Sequence, residues 1–180
     1  VDYLTQRCGV RERDITIVIA NGTHTGGDEA ELRTLVTDAV YDRITVENHD
    51  CESEDLVYLG TTPHGTPVSI NRTAALADMV ICLGAATHHV MAGFGGGRKS
   101  ILPGISGRET IFHNHAFSLD AAALRSNPAV GNGILQGNPL HEDMCEAAGL
   151  VKNLFMVNLV MNTQMRLAAI FSGHYLTSWE

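Results

Sequence analysis

The stretch that decides the fold runs from Met79 to Gly104 and reads M-V-I-C-L-G-A-A-T-H-H-V-M-A-G-F-G-G-G-R-K-S-I-L-P-G. It opens with an apolar run, Met79 to Leu83, closed by Gly84, which predicts a buried strand. The strand empties into glycines and histidines. In open α/β sheets, ligands sit in the crevice at the carboxyl ends of the strands. Carried on to His115, the segment from Thr87 holds four of the nine histidines and six of the eighteen glycines. No acidic residue lies between Met79 and Arg108, although the chain carries a net charge of −8. A cationic, glycine-lined, histidine-rich segment in an acidic protein suits an anionic ligand.

Gly93 to Ser100 is one residue away from the phosphate-binding pattern G-x-x-x-x-G-K-[ST], with Arg98 where the last Gly should stand. A nucleotide-hydrolysing loop needs its glycines directly after the strand. Here Ala85 to Gly93 intervene, and an Arg side chain would disturb the backbone cradle. The glycines still let an anion approach backbone N–H groups. Arg98 beside Lys99 is a cation that lowers the lysine pKa and favours its neutral, nucleophilic amine. In His88-His89 and in His113-Asn114-His115, neighbouring rings point apart, so at most one of each pair serves a common site. His49, His64, His141 and His174 give no comparable signal, and no H-x-x-x-H or H-E-x-x-H pattern supports a zinc site.

Working upstream, Val1 to Cys8 reads as the tail of a helix stopped at Gly9. Asp14 to Ala20 (D-I-T-I-V-I-A) is a β-branched run suited to a strand buried on both faces. It ends in the loop Asn21 to Gly27, which carries His24. Asp28 to Arg43 has an amphipathic helical period, with Leu32, Leu35, Val36, Ala39 and Val40 inward. Ile44 to Asn48 is a second strand, completing a crossover unit. Leu56 to Gly60 and Thr66 to Ile70 flank a Pro63/Gly65 turn as a hairpin, and Arg72 to Ala77 is a short helix. Downstream, a helix starts at Gly107, 118–137 is irregular, and Leu140 to Ala148 is helical. Phe155 to Met161 and Leu167 to Phe171 are strands about a turn at Asn162. Gly173 to Glu180 reads as a turn with a helix beginning. Alternation of strands and helices predicts a three-layer, Rossmann-like α/β domain with a mostly parallel sheet. The His24 and His89 loops then open onto one edge.

At 180 residues and 44% hydrophobic, the chain can bury one sizeable core. Four scattered cysteines suggest reduced thiols and a cytoplasmic setting, and no apolar run is long enough to span a membrane. The acidic balance argues against nucleic acid as a partner. Both ends read as cut, so the chain is expected to be a single α/β domain, 1–180, from a longer protein.

Taken together, Gly22-Thr-His24, His89, the string G-G-R-K-S-I-L-P-G with Lys99, Asn114-His115, and L-G-T-T-x-x-G-T-P at Leu59 to Pro67 closely resemble the nickel-dependent lactate racemase family. The histidine ten residues before Lys99 and the one sixteen after it make the resemblance specific. It implies the cofactor-bearing N-terminal domain of a 2-hydroxy acid racemase. It implies a nickel pincer nucleotide, a pyridinium mononucleotide with two sulfur arms holding nickel, joined covalently to Lys99. His115 would complete the nickel coordination, and His24 and His89 would act as acid and base on opposite faces of the substrate. Arg98, Gly95, Gly96 and Gly97 would help bind the cofactor. Its partners would be a small 2-hydroxy acid and the enzymes that build the cofactor. The chemistry fits the residue types, since imidazole with an ordinary pKa of ~6.5 is a base at neutral pH and a ligand for Ni²⁺. Thr25 stands where many members have Arg, and Gly95 where Ser is commoner. The upstream Asp-x-Thr-Arg segment and the second domain are absent, so the isolated chain is expected to be inactive and free of cofactor. A phosphate- or nucleotide-binding enzyme using Gly93 to Ser100, and a non-catalytic cofactor carrier, remain as alternatives.

Overall fold

The computed structural model describes residues 1–177. Helix α1 (Asp2–Gln6) opens the chain and Gly9 turns it at φ 71°. Strand β1 (Thr16–Ile19) pairs in parallel with β2 (Thr45–Asn48), Thr16 opposite Thr45. Between them the single predicted helix is two: α2 (Glu29–Val36) and α3 (Asp38–Tyr41). Thr37 separates them at φ 73°, a left-handed conformation that no helix continues through. Leu35, in the last turn of α2, is 65% exposed, Ala39 beyond the break is exposed, and Leu32 alone of the predicted inner face is fully buried. The start of α2 is fixed by a capping box in which Asp28 accepts from the Glu31 amide and Glu31 from the Asp28 amide.

The hairpin is as predicted: β3 (Val57–Thr61) and β4 (Pro67–Ile70) run antiparallel about a turn that Gly65 closes at φ 92°. Helix α4 (Arg72–Leu76) is capped by the Asn71 side chain. Strand β5 (Val80–Ala85) follows, then the small antiparallel pair β6 (His88–His89) and β7 (Gly93–Phe94), and a 3-10 turn over Gly97–Ser100. Helix α5 (Arg108–Ala116) precedes a largely irregular segment, in which β8 (Leu119–Asp120) and β9 (Arg125–Ser126) pair briefly. Helix α6 (Pro139–Gly149) carries Pro at its first turn and an Asn138 cap. The chain ends in β10 (Leu154–Met161) and β11 (Leu167–His174). Gly173 therefore lies in a strand, not in the predicted turn, and the helix start predicted toward Glu180 falls partly outside the described residues.

The fold is mixed α/β, and the predicted single, mostly parallel sheet is not what forms. Among the described residues the strands divide into five small sets. β1 and β2 make one parallel pair; β5 lies parallel to β10, which is antiparallel to β11. What lies between the two parallel pieces is the buried segment 101–106, not a bridging strand. Through it the Gly22 amide donates to the Gly104 carbonyl, and the Asn71 amide to Ile105. The core packs here: Ile70, Ile101, Leu102, Leu140, Met144 and Met156 are essentially sealed from solvent.

Burial of β5 also differs from expectation. Cys82 faces the core with Leu154 and Met156 of β10, but Leu83 is 71% and Ile81 36% exposed. Side chains alternate across a strand, and the outer face of β11-β10-β5 has no covering layer among the described residues. The same one-sidedness leaves β1 half-buried instead of enclosed on both faces.

Candidate active site

One cleft of about 530 Å³ collects residues far apart in sequence: His24, His89, Lys99 and His115, with Gly95 and Gly96 in its wall. Each arrives on a different local device. His24 leaves β1 on a turn in which its amide donates to the Asn21 carbonyl (3.0 Å) and Gly22 adopts φ 58°. Asn21 ties that turn to β2 through the Asn48 side chain (3.0 Å) and the His49 carbonyl (3.3 Å). The His24 ring is exposed and makes no hydrogen bond among the described residues.

His89 sits in the β6–β7 hairpin, and its Nδ1 accepts from the amides of Met91 (3.2 Å) and Ala92 (3.0 Å). Its pKa is pushed down by burial first, then by the charges of Lys99, His115 and Arg98. Lys99 stands on the 3-10 turn, held by its amide on the Gly96 carbonyl (3.1 Å). Burial lowers its pKa, and Arg98 adds to the effect, so the amine is biased toward its neutral, nucleophilic form.

Arg98 and Lys99 go opposite ways. Arg98 is 1% exposed and does not line the cleft. Its guanidinium donates to the carbonyls of Ala92 (2.8 Å) and Phe94 (3.2 Å), pinning the hairpin to the turn. Burial pushes its pKa down to about 10, still cationic at neutral pH. Gly97 is likewise buried and outside the cleft lining. The glycine run serves close packing: a Cβ on Gly96 would lie 2.9 Å from Asn158 Oδ1, and one on Gly84 2.9 Å from the Gly96 Cα. Strand, hairpin and a 3-10 turn in place of a helix also mean that Gly93–Ser100 does not form a nucleotide-hydrolysing loop.

His115 is in the last turn of α5. Its Nδ1 is buried without a well-formed hydrogen bond, although the Ile111 carbonyl one turn back is near enough to favour a proton there. That tautomer leaves the lone pair on Nε2. Burial is the main cause of a lowered His115 pKa, with Lys99 contributing, so the ring is neutral and its lone pair available to a metal.

What holds α5 was not legible beforehand. Asn114, fully buried, donates to the Leu140 carbonyl (3.0 Å) and to Asp143 Oδ2 (2.8 Å). Asp143, also sealed from solvent, accepts from the hydroxyls of Thr62 (2.6 Å) and Thr66 (2.9 Å). The L-G-T-T-x-x-G-T-P string thus fixes a carboxylate that fixes the helix bearing His115. An acid on the inner face of an amphipathic helix was the available signal.

The other histidines go elsewhere. His88 stacks on Phe94 at 4.8 Å and contacts Asn132 (3.1 Å). His64 pairs with Glu146 (2.8 Å), which raises its pKa. Donor atoms of His64, Asp143 and Glu146 lie within 4.8 Å of one another. That ion pair and the three donors already on Asp143 account for the grouping without a metal. A larger cavity of about 630 Å³ lies at the start of α5, but it is lined by Glu52, Arg108 and His113, and Arg108 is paired there with Glu52. None of the four converging residues reaches it.

Residues 2–126 match the family model described as the lactate racemase N-terminal domain. The chain belongs to that family. Among lactate racemases, it is 33% identical over 165 residues to the protein of Thermoanaerobacterium thermosaccharolyticum, covering 91% of this chain and 38% of that one. It is 32% identical over 160 residues to the protein of Lactiplantibacillus plantarum, covering 88% and 37%. The lactate racemase apoprotein structure from T. thermosaccharolyticum superposes with a TM-score of 0.84 at 32% identity, over 92% of this chain and 39% of that one. A Thermotoga maritima protein shares the fold, with a TM-score of 0.75 at 22% identity over 91% and 44%. The chain thus spans under two fifths of the length of the lactate racemases it matches. No helix among the described residues is long and apolar enough to cross a membrane.

Proposed function

We propose that this chain is the cofactor-bearing part of a nickel-dependent racemase or epimerase of a 2-hydroxy acid. One observation carries the reading: an amine and three imidazoles from four separate segments line a single cleft. A volume of about 530 Å³ is within the range of small-molecule sites. The donor set fits a nickel pincer nucleotide. Lys99 offers a desolvated amine for covalent attachment, and His115 offers Nε2 to nickel. Gly95 and Gly96 give the cofactor backbone at the cleft wall, while Arg98 and Gly97 act from beneath by holding the turn. When bound, the group supplies an acceptor and donor for the C2 hydrogen as hydride. The chain's residues do the rest. His24, unpaired and exposed, takes the hydroxyl proton of one enantiomer and returns it, a contribution of ~10²–10⁴-fold for a positioned base. His89 serves the hydroxyl from the other side. The acid-free wall of the cleft favours the substrate carboxylate.

Lactate is the simplest substrate; malate and sugar acids have the same reacting centre. The enzymes that build the cofactor are the expected partners and the cytoplasm the setting, supported by four free cysteines. A three-layer, Rossmann-like arrangement is proposed for a polypeptide of the relatives' length, in which a helical layer covers Ile81, Leu83 and Ile170.

The test is co-expression of the full-length protein with cofactor-building enzymes. Intact mass, nickel content and racemisation of lactate and other 2-hydroxy acids are then measured. Added mass on the Lys99 peptide with one nickel is expected. His24→Ala and His89→Ala should retain nickel and lose turnover, and His115→Ala should lose nickel. Full racemisation by the His24 and His89 variants would discard the role assignment.

A further inference from the structure

His24 and His89 are not equivalent in this cleft, and the hydrogen bonds around His89 say how they differ. The His89 Nδ1 receives two N–H groups, from Met91 at 3.2 Å and Ala92 at 3.0 Å. A ring nitrogen that accepts hydrogen bonds carries no proton. The neutral ring must then hold its proton on Nε2. A second proton on Nδ1 would face two N–H donors, so the imidazolium is disfavoured as well.

The turn is itself anchored. The Met91 carbonyl accepts from the Asn138 side chain (2.8 Å), and the Ala92 carbonyl from Arg98 (2.8 Å). Ala92 is fully buried. Any separation of His89 from these amides therefore comes from the ring turning away, not from the turn opening.

We propose that His89 meets the substrate as a fixed hydrogen-bond donor through Nε2–H, and exchanges protons only after its ring leaves the Met91 and Ala92 amides. In the held state Nε2 has no lone pair for a hydroxyl proton, and giving up its own proton would leave an imidazolate. What it can do is donate to a carboxylate or carbonyl oxygen of the bound acid. To become a base, the ring takes a proton from water on Nδ1 and returns one to water from Nε2, with no net change of charge. Nε2 can then accept the hydroxyl proton. His24, with no hydrogen bond to its ring, faces no such step. The hydroxyls of the two enantiomers thus meet unequal bases, one ready and one gated by a side-chain rotation. The substrate in this statement rests on the racemase reading above; the tautomer does not.

The experiment is two-bond ¹H–¹⁵N correlation NMR of the full-length protein without cofactor, with ¹⁵N-labelled histidine, near neutral pH. The His89 spin system is assigned by its loss in His89→Asn. A single Nε2–H tautomer is expected. Through-hydrogen-bond coupling from Nδ1 to the Met91 and Ala92 amides should appear in uniformly labelled protein, and this assigns the ring even if the variant misfolds. His89→Asn, whose Oδ1 can still accept the two amides, should keep a higher Tm than His89→Ala. An Nδ1–H tautomer, an imidazolium, or absence of both couplings would overturn the proposal and leave the racemase reading standing. A full-length protein that binds no nickel would end the racemase reading and leave the tautomer result unchanged.

Discussion

Replacing Asp143 by Ala tests whether the buried carboxylate organises the His115 side of the cleft. The side chain is sealed from solvent and accepts three hydrogen bonds, from Thr62, Thr66 and Asn114. Those donors are themselves buried. Truncation strands them and leaves a small void. A buried donor without a partner costs about 1–3 kcal/mol. The Asn114 amide keeps its bond to the Leu140 carbonyl, and the two hydroxyls can reorient. A total loss of about 3–5 kcal/mol follows, a large but attainable figure for breaking a buried network. For a chain of this size that corresponds to a Tm lower by ~6–20 °C. Asp143→Asn keeps an acceptor for part of the set and should cost about 1–3 kcal/mol. Urea unfolding of both variants measures these values. The cofactor-loaded full-length protein should also retain less nickel when Asp143 is changed. A loss under about 1 kcal/mol in Asp143→Ala, with nickel unchanged, would refute the idea that this carboxylate holds the helix.

Two further outcomes are expected. Stability should fall as pH drops from ~6.5 toward 4, because burial, with Arg98 contributing, pushes the His141 pKa down to about 4. A depressed imidazole pKa means the unfolded chain binds the proton first, so stability is full above the unfolded value. At most about 3 kcal/mol is lost through His141 across that window. His49, also depressed by burial, adds to the loss, while His64, raised by Glu146, opposes it. Urea unfolding at several pH values reads the slope, and a flat profile would contradict the assignment of neutral, buried imidazoles. Gly96→Ala should cost about 1–3 kcal/mol, because the new Cβ meets Asn158 at a φ of 82° that disfavours side chains. An alanine variant as stable as the parent would show that the turn can shift.

Much of the candidate site was legible in the sequence because its residue types have few alternative uses. His89, Lys99 and His115 lie within one short stretch, and His24 follows a β-branched run whose end predicts a loop. The structure brings all four to one cleft. What failed to show was conformational or three-dimensional. The helix over 28–43 has an amphipathic period throughout, and nothing in that period signals a left-handed Thr37. The run M-V-I-C-L is apolar at every position, so composition could not say that Leu83 faces outward while Cys82 faces in. Arg98 looked like a ligand group because it neighbours Lys99, but successive residues of a tight turn point apart, and its guanidinium serves the loop backbone. Asp143 stood out only as an acid on an inner helix face, because its three partners lie 29 to 81 residues away.

The gap between the two parallel strand pairs has a mechanical meaning. His24 rides on the β1 side of that gap, whereas His89, Lys99 and His115 belong to the side built on β5, the glycine turn and α5. The Gly22 amide on the Gly104 carbonyl and the His49 ring on the Ser106 carbonyl (2.9 Å) stitch across it. A slide along this line would widen or narrow the mouth by carrying His24 alone, while His89, Lys99 and His115 kept their spacing. On the racemase reading proposed above, opening for a substrate and constancy for a tethered cofactor would fall to different halves of the same molecule.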